Sequence, residues 1–135
     1  LHLSLRRQRQ MCIRDSYWAV VAKPKISVST PTILRQINYE KLQHLDVDSL
    51  VDCIQNGRWQ ESFAYMVNVL EPVTMNEYPE IRQLKQRMEK LGADVVQMSG
   101  TGPTVFALCH NESRARRLHN SLCGFCREVY LAMLL

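Results

Sequence analysis

The chain has 135 residues, 46% hydrophobic and 22% charged, the balance of one soluble globular domain rather than of a disordered tail. Charged residues interrupt every apolar stretch well short of the roughly 18 to 20 residues that a membrane helix needs, so no segment is expected to span a bilayer. The net charge of +4 is uneven: residues 1–16 hold Arg6, Arg7, Arg9 and Arg14 against Asp15, which leaves 13 basic and 12 acidic residues in the remainder and predicts no nucleic-acid partner.

Residues 1–16 begin without Met and lack the apolar run and cleavage site of a secretion signal. Composition changes abruptly at Tyr17, so 1–16 are read as a non-native or disordered segment and 17–135 as the domain; a basic arm on a nucleic-acid binder is the alternative. Five cysteines, at positions 12, 53, 109, 123 and 126, are scattered and odd in number, which reads as reduced thiols in a cytoplasmic protein rather than as a disulfide framework.

From Tyr17 the sequence is aromatic and β-branched up to Lys23-Pro24-Lys25, predicting a strand. Thr30 before Pro31 suits an N-cap, with Ile33, Leu34 and Ile37 on one face of a two-turn helix. Asp46 and Asp48 open a helix carrying Val47, Leu50, Val51 and Ile54 at helical spacing, closed by Gly57. A second helix from Trp59 through Phe63, Met66 and Val67 up to Pro72 would complete a helical hairpin.

The clearest helix spans about Pro79 to Leu91, with Ile81, Leu84, Met88 and Leu91 as its stripe and Gly92 at its end. Residues 93–98 and 104–108 read as strands joined by Ser99-Gly100-Thr101-Gly102-Pro103. Asn111 or Ser113 can cap a helix with Ala115, Leu118 and Leu122 inward, and 129–134 read as a last strand. The resulting βα…ββαβ order is that of an α+β, ferredoxin-like split-βαβ sandwich with inserted helices.

Gly100-Thr101-Gly102 is the most informative local feature, because two glycines permit positive φ and let a ligand approach backbone N–H groups. Two readings stay open, a plain glycine hairpin and a ligand-facing loop. A strand rather than a helix follows it and no Lys-Ser/Thr is present, so it is neither a Walker loop nor a dinucleotide fingerprint. Cys123-Gly-Phe-Cys126 has redox or half-zinc spacing, but no second pair exists and its helix-to-strand position is wrong for a thioredoxin motif, so these cysteines are read as structural or incidental. His110, His119, Arg114, Arg116 and Arg117 read as solvated surface, and Asp46 with Asp48 as helix capping. No metal site and no complete catalytic set is visible.

The stretch from Met98 to Leu108, containing Ser99-Gly100-Thr101-Gly102-Pro103, closely resembles the third conserved motif of the GHMP kinases, a superfamily of small-molecule kinases. Pro24 to Thr30 resembles the Pro-x-x-x-Val-Ser-Thr segment, and Asn68 to Pro72 the Asn-x-Leu-Glu-Pro segment, of the branch that phosphorylates a cytidine diphosphate-linked methylerythritol. The order and spacing of all three match the C-terminal half of that branch, from Tyr17 onward.

The resemblance implies a parent enzyme that moves the γ-phosphate of ATP, with Mg2+, to a hydroxyl of that small-molecule substrate in non-mevalonate isoprenoid synthesis. In the family the catalytic Lys and Asp and the Pro-x-x-x-Gly-Leu-Gly-Ser-Ser loop lie upstream, in an N-terminal domain; no such motif occurs here. The chain is therefore expected to hold no catalytic residue, to bind no cofactor tightly by itself, to be inactive alone, and to have that N-terminal domain as its partner. By the same carry-over Ser99, Gly100, Thr101, Gly102 and Pro103 face the nucleotide and the transferred phosphate, while Thr30 and Leu34 line the cytidine pocket, where the family often has an aromatic in place of Leu34. The alternatives are another GHMP kinase, against which the second and third stretches argue, and a stand-alone ferredoxin-like module that binds a small molecule or a partner without chemistry.

Overall fold

A computed structural model describes residues 17–38, 40 and 46–134. The segment 1–16, with its expected non-native or disordered character, lies outside the described residues. Four strands, β1 (Tyr17–Lys23), β2 (Val95–Met98), β3 (Val105–Cys109) and β4 (Glu128–Leu134), form one antiparallel sheet in the order β2-β3-β1-β4. That order interleaves the two halves of a split βαβ, because β3 lies between β1 and β2, and β1 between β3 and β4. Six α-helices lie among the described residues: α1 (Thr30–Arg35), α2 (Val47–Gln55), α3 (Trp59–Ser62), α4 (Glu71–Glu77), α5 (Pro79–Lys90) and α6 (Glu112–Leu122).

Register decides which face of the sheet is buried. Pairing of Val20 with Ala107 and Leu131, and of Val105 with Ala22 and Met98, places these residues on one face. Against that face α5 sets Ile81, Leu84 and Met88, and α6 sets Ala115, Leu118 and Leu122, each helix using positions i, i+3 and i+7. Asn111 caps α6 by accepting the Arg114 N–H at 3.2 Å.

Several local expectations are corrected. Ser29, not Thr30, caps α1: its hydroxyl oxygen accepts from the Thr32 N–H at 3.4 Å and the Thr32 hydroxyl at 2.9 Å, and the helix has six residues, less than two turns. The helix expected from Trp59 to Glu71 breaks, α3 passing into a single 3-10 turn at Phe63–Tyr65. Phe63 there packs edge-on to Tyr17 with ring centroids 5.5 Å apart, on the sheet face opposite the core, and Val67 and Val69 add β-branched residues unfavourable to a helix. The Trp59 side chain, expected on the same buried face, lies outside the described residues. Pro72 does not stop a helix but occupies the first turn of α4, where its missing N–H has no intrahelical partner to lose.

The packing of α2 also differs from expectation. Asp46 caps it and Gly57 ends it as expected, the Gly57 and Arg58 N–H groups closing onto Ile54 and Cys53 carbonyls at 3.3 and 2.8 Å. Its apolar stripe, however, faces outward: Val47, Val51 and Ile54 are 53, 42 and 37% exposed, and it is Cys53 that is buried. β4 also presents Tyr130 and Leu134 to solvent from the face opposite α5 and α6. No helix among the described residues is long and apolar enough to cross a membrane.

Leu118→Ala, at a fully buried position, is expected to lower unfolding stability in urea by about 2–5 kcal/mol. Val51→Lys should change it by about 0.5 kcal/mol or less and reduce binding of an apolar dye. A loss for Val51→Lys as large as that for Leu118→Ala would mean that the α2 stripe is packed.

Candidate functional site

The turn joining β2 to β3 is built by its own backbone first. Ser99 N–H donates to the Thr104 carbonyl at 2.8 Å, and Gly102 N–H to the Ser99 carbonyl at 2.9 Å, folding the loop back on itself. Gly100 and Gly102 take φ of 56° and 88°, in the left-handed region that favours glycine, and the Gly102–Pro103 peptide bond is cis. Gly102 also permits a close approach: a Cβ there would meet Met98 Sδ at 3.0 Å, with Ile81 Cδ1 and Thr74 Cγ2 at 3.4 Å.

Side chains from the segment leading into α4 then hold the loop from the protein side. The Asn68 carboxamide donates to the Met98 carbonyl at 2.7 Å and to the Gly100 carbonyl at 2.9 Å, while its oxygen accepts the Leu70 N–H at 3.0 Å. The buried Thr74 hydroxyl donates to the Thr101 carbonyl at 3.1 Å. Glu71 accepts the Met98 N–H at 3.0 Å with one carboxylate oxygen and pairs with Lys85 Nζ of α5 through the other. Its side chain is only 12% exposed and that of Lys85 26%, so each charge offsets the cost of desolvating the other. With the Met98, Gly100 and Thr101 carbonyls occupied, the N–H groups of Gly100 and Thr101 have no hydrogen-bond partner among the described residues.

Thr30 reaches the same loop. Its hydroxyl lies 3.1 Å from that of Thr101, and the start of α1 is fixed by the Ser29 N–H donating to Tyr78 Oη at 3.3 Å. Gln36 Nε2 donates to Glu77 Oε2 at 3.2 Å, tying the other end of α1 to α4. Leu34 stands one helical turn beyond Thr30, 45% exposed, and presents an apolar side chain without an aromatic ring. Thr30 and the five loop residues are thus brought together, with Leu34 close by along α1. Asn68 and Glu71 were legible only as parts of a motif, and Thr74 and Lys85 not at all. The available signal was the spacing of three between polar residues 68, 71 and 74 at the start of an otherwise amphipathic helix.

The remaining candidate groups stand apart from this loop. Cys123 is exposed at the C-terminus of α6, its Sγ 3.8 Å from the His119 ring nitrogens, whereas Cys126 is buried and its thiol is pushed up in pKa by burial and by Cys123. Burial and Asp94 likewise raise the Cys109 thiol. Among the described residues no group of three His, Cys, Asp or Glu side chains is placed to hold a metal ion. Two of the three α6 arginines have local partners, Arg114 at the Gly92 carbonyl (3.2 Å) and Arg116 at Glu112 (2.9 Å). His119 is less exposed than its polar helix face suggested, with Nε2 3.3 Å from the Val129 carbonyl. Asp46 is held below the usual carboxylate range by the Ser49 hydroxyl and N–H.

The family model described as GHMP kinases C terminal matches residues 50–128. The chain belongs to the GHMP kinase C-terminal family. Among its relatives, the 4-diphosphocytidyl-2-C-methyl-D-erythritol kinase of Limosilactobacillus fermentum is 68% identical over 119 residues, which are 88% of this chain and 42% of that protein. The enzyme of the same name from Limosilactobacillus reuteri is 66% identical over equal shares. The chain therefore spans about 42% of the length of these relatives. A crystal structure of 4-(cytidine 5'-diphospho)-2C-methyl-D-erythritol kinase superposes with a TM-score of 0.71 at 27% identity, covering 87% of this chain and 42% of that one. A crystal structure of L. major mevalonate kinase superposes with a TM-score of 0.65 at 18% identity, covering 88% of this chain and 42% of that one, a likeness of fold alone. The glycine loop of this GHMP kinase C-terminal domain lies inside the matched span, and Thr30 and Leu34 precede it.

Gly102→Ala adds a collision to an unfavourable φ, whereas Gly57→Ala, with φ of 71° and open space around it, meets the φ penalty alone. The expected losses in chemical unfolding are about 1–2 kcal/mol for Gly57→Ala and about 1–3 kcal/mol more for Gly102→Ala. Equal losses would mean that the loop relaxes around the added methyl. For the thiols, limited alkylation followed by mass mapping should modify Cys123 well ahead of Cys53, Cys109 and Cys126, all of which are buried.

Proposed function

We propose that residues 17–135 are the C-terminal domain of a cytoplasmic kinase that transfers the γ-phosphate of ATP to a hydroxyl of 4-diphosphocytidyl-2-C-methyl-D-erythritol, and that residues 1–16 lie outside that domain. The observation that carries this reading is the identity of 66–68% over 119 residues to relatives that bear that kinase's name. The loop geometry agrees with it. In such a transfer the substrate hydroxyl oxygen bonds to the γ-phosphorus, the bond from phosphorus to the β,γ-bridging oxygen breaks, ADP leaves, and the hydroxyl proton passes to a base.

Catalysis of this reaction is mostly positioning and stabilisation of charge on the phosphoryl oxygens. The Gly100 and Thr101 N–H groups suit that role: they are neutral donors in a loop whose Ser99, Gly100 and Thr101 carbonyls are bound elsewhere, so little reorganisation accompanies charge development. Thr30 and Leu34 serve the substrate side, with Thr30 joined to the loop through Thr101. Mg2+ on the ATP phosphates would supply further charge neutralisation. Its protein contacts are expected in the part of the kinase that the relatives carry beyond this chain, which spans 42% of their length.

The test joins this chain to the N-terminal portion of the Limosilactobacillus fermentum relative. The chain alone is expected to give ATP turnover no higher than blank, and the joined protein to phosphorylate 4-diphosphocytidyl-2-C-methyl-D-erythritol. Turnover by the chain alone, or a joined and folded protein that phosphorylates homoserine or mevalonate instead, would overturn the assignment.

A further inference from the structure

Met98 ends β2, an outer strand of the sheet, and both of its main-chain groups are taken by side chains instead of by another strand: the N–H by Glu71 and the carbonyl by Asn68. Beyond Met98 the carbonyls of Gly100 and Thr101 are taken in the same way by Asn68 and Thr74. The Asn68 side chain is fully committed, because its two donated bonds go to the loop and its oxygen holds the Leu70 N–H that starts α4. One carboxamide thereby locks the loop to the helix that carries the other two supports.

We propose that Asn68 is the positioning residue of the glycine loop, with Thr74 as its auxiliary: by occupying the Met98, Gly100 and Thr101 carbonyls they hold the Gly100 and Thr101 N–H groups together, unpartnered among the described residues, as a preformed donor pair for phosphate oxygens. The inference rests on the reading of the loop as phosphate-facing. Neither residue touches the phosphate. A loop lacking these bonds would be free to turn a carbonyl dipole toward the anion, which repels it, so the supports act on the sign of the local field as well as on order.

The experiment compares the chain with Asn68→Asp, which keeps the size of the side chain but sets a carboxylate against two carbonyl oxygens, and with Thr74→Val, which keeps shape and removes one donor. Amide hydrogen exchange and 15N–1H spectra are read at Ser99, Gly100, Thr101 and Gly102, with Val20 and Ala107 as core controls, and inorganic triphosphate is the titrated probe. Expected for Asn68→Asp are exchange at Ser99 and Gly102 at least about tenfold faster, unchanged core exchange, and triphosphate binding weakened about tenfold or more; Thr74→Val should show the same changes at smaller size. Loop exchange and triphosphate affinity equal to those of the parent chain in either folded variant would overturn the proposal. Should Asn68→Asp fail to fold, Thr74→Val decides. Absence of any triphosphate-induced shift at Gly100 and Thr101 in the parent chain would overturn the phosphate-facing reading instead, while the exchange data would still decide whether Asn68 orders the loop.

Discussion

The end of an outer β-strand leaves main-chain groups that water or side chains must satisfy, and at Met98 this domain uses side chains. Glu71 and Asn68 take the N–H and carbonyl that a further strand would have taken, and the chain then turns through two glycines with its carbonyls already engaged. The position of α4 follows from this requirement, since residues 68, 71 and 74 must face the loop together. So does the position of α1, which is tied to α4 and α5 through Glu77 and Tyr78 and thereby brings Thr30 over Thr101.

A carboxylate in this place is costly unless its charge is met. Glu71 meets it with the Lys85 ammonium and the Met98 N–H, so the pair joins α4, α5 and β2 in one contact. A neutral amide could accept the same N–H but would not draw Lys85 inward. The ion pair thus contributes to the relative placement of two helices and a strand more than to net stability, the use for which partly buried pairs are best suited.

Much of this was legible in the chain. α5 and α6 repeat apolar residues at i, i+3 and i+7 between good start and stop signals, and β2, β3 and β4 are short runs with clear boundaries. Pro72 misled because proline is as suited to a helix's first turn as to its termination, and the Asn68 turn ahead of it is held by carboxamide bonds to Met98 and Gly100, which are tertiary contacts. The α2 stripe misled for another reason. Helical periodicity reports that a face is apolar and says nothing of whether the same chain covers it, and Val47, Val51 and Ile54 are left to solvent. In the site, Gly100 and Gly102 announced themselves, but the polar side chains that orient the loop looked like ordinary helix residues. Their role depends on contacts across 27 to 32 positions of sequence.

Those separations have a kinetic meaning. The loop is joined to Thr74 across 27 residues and to Thr30 across 71, so none of its supporting contacts can form by local closure. Each needs a large fraction of the chain to be in place first, with the loop-closure entropy already offset by the core. The amide pair therefore belongs to the completed fold and not to any nascent hairpin of β2 and β3. A peptide spanning only that hairpin would carry the motif's letters without its geometry, because the side chains that engage its carbonyls come from outside it.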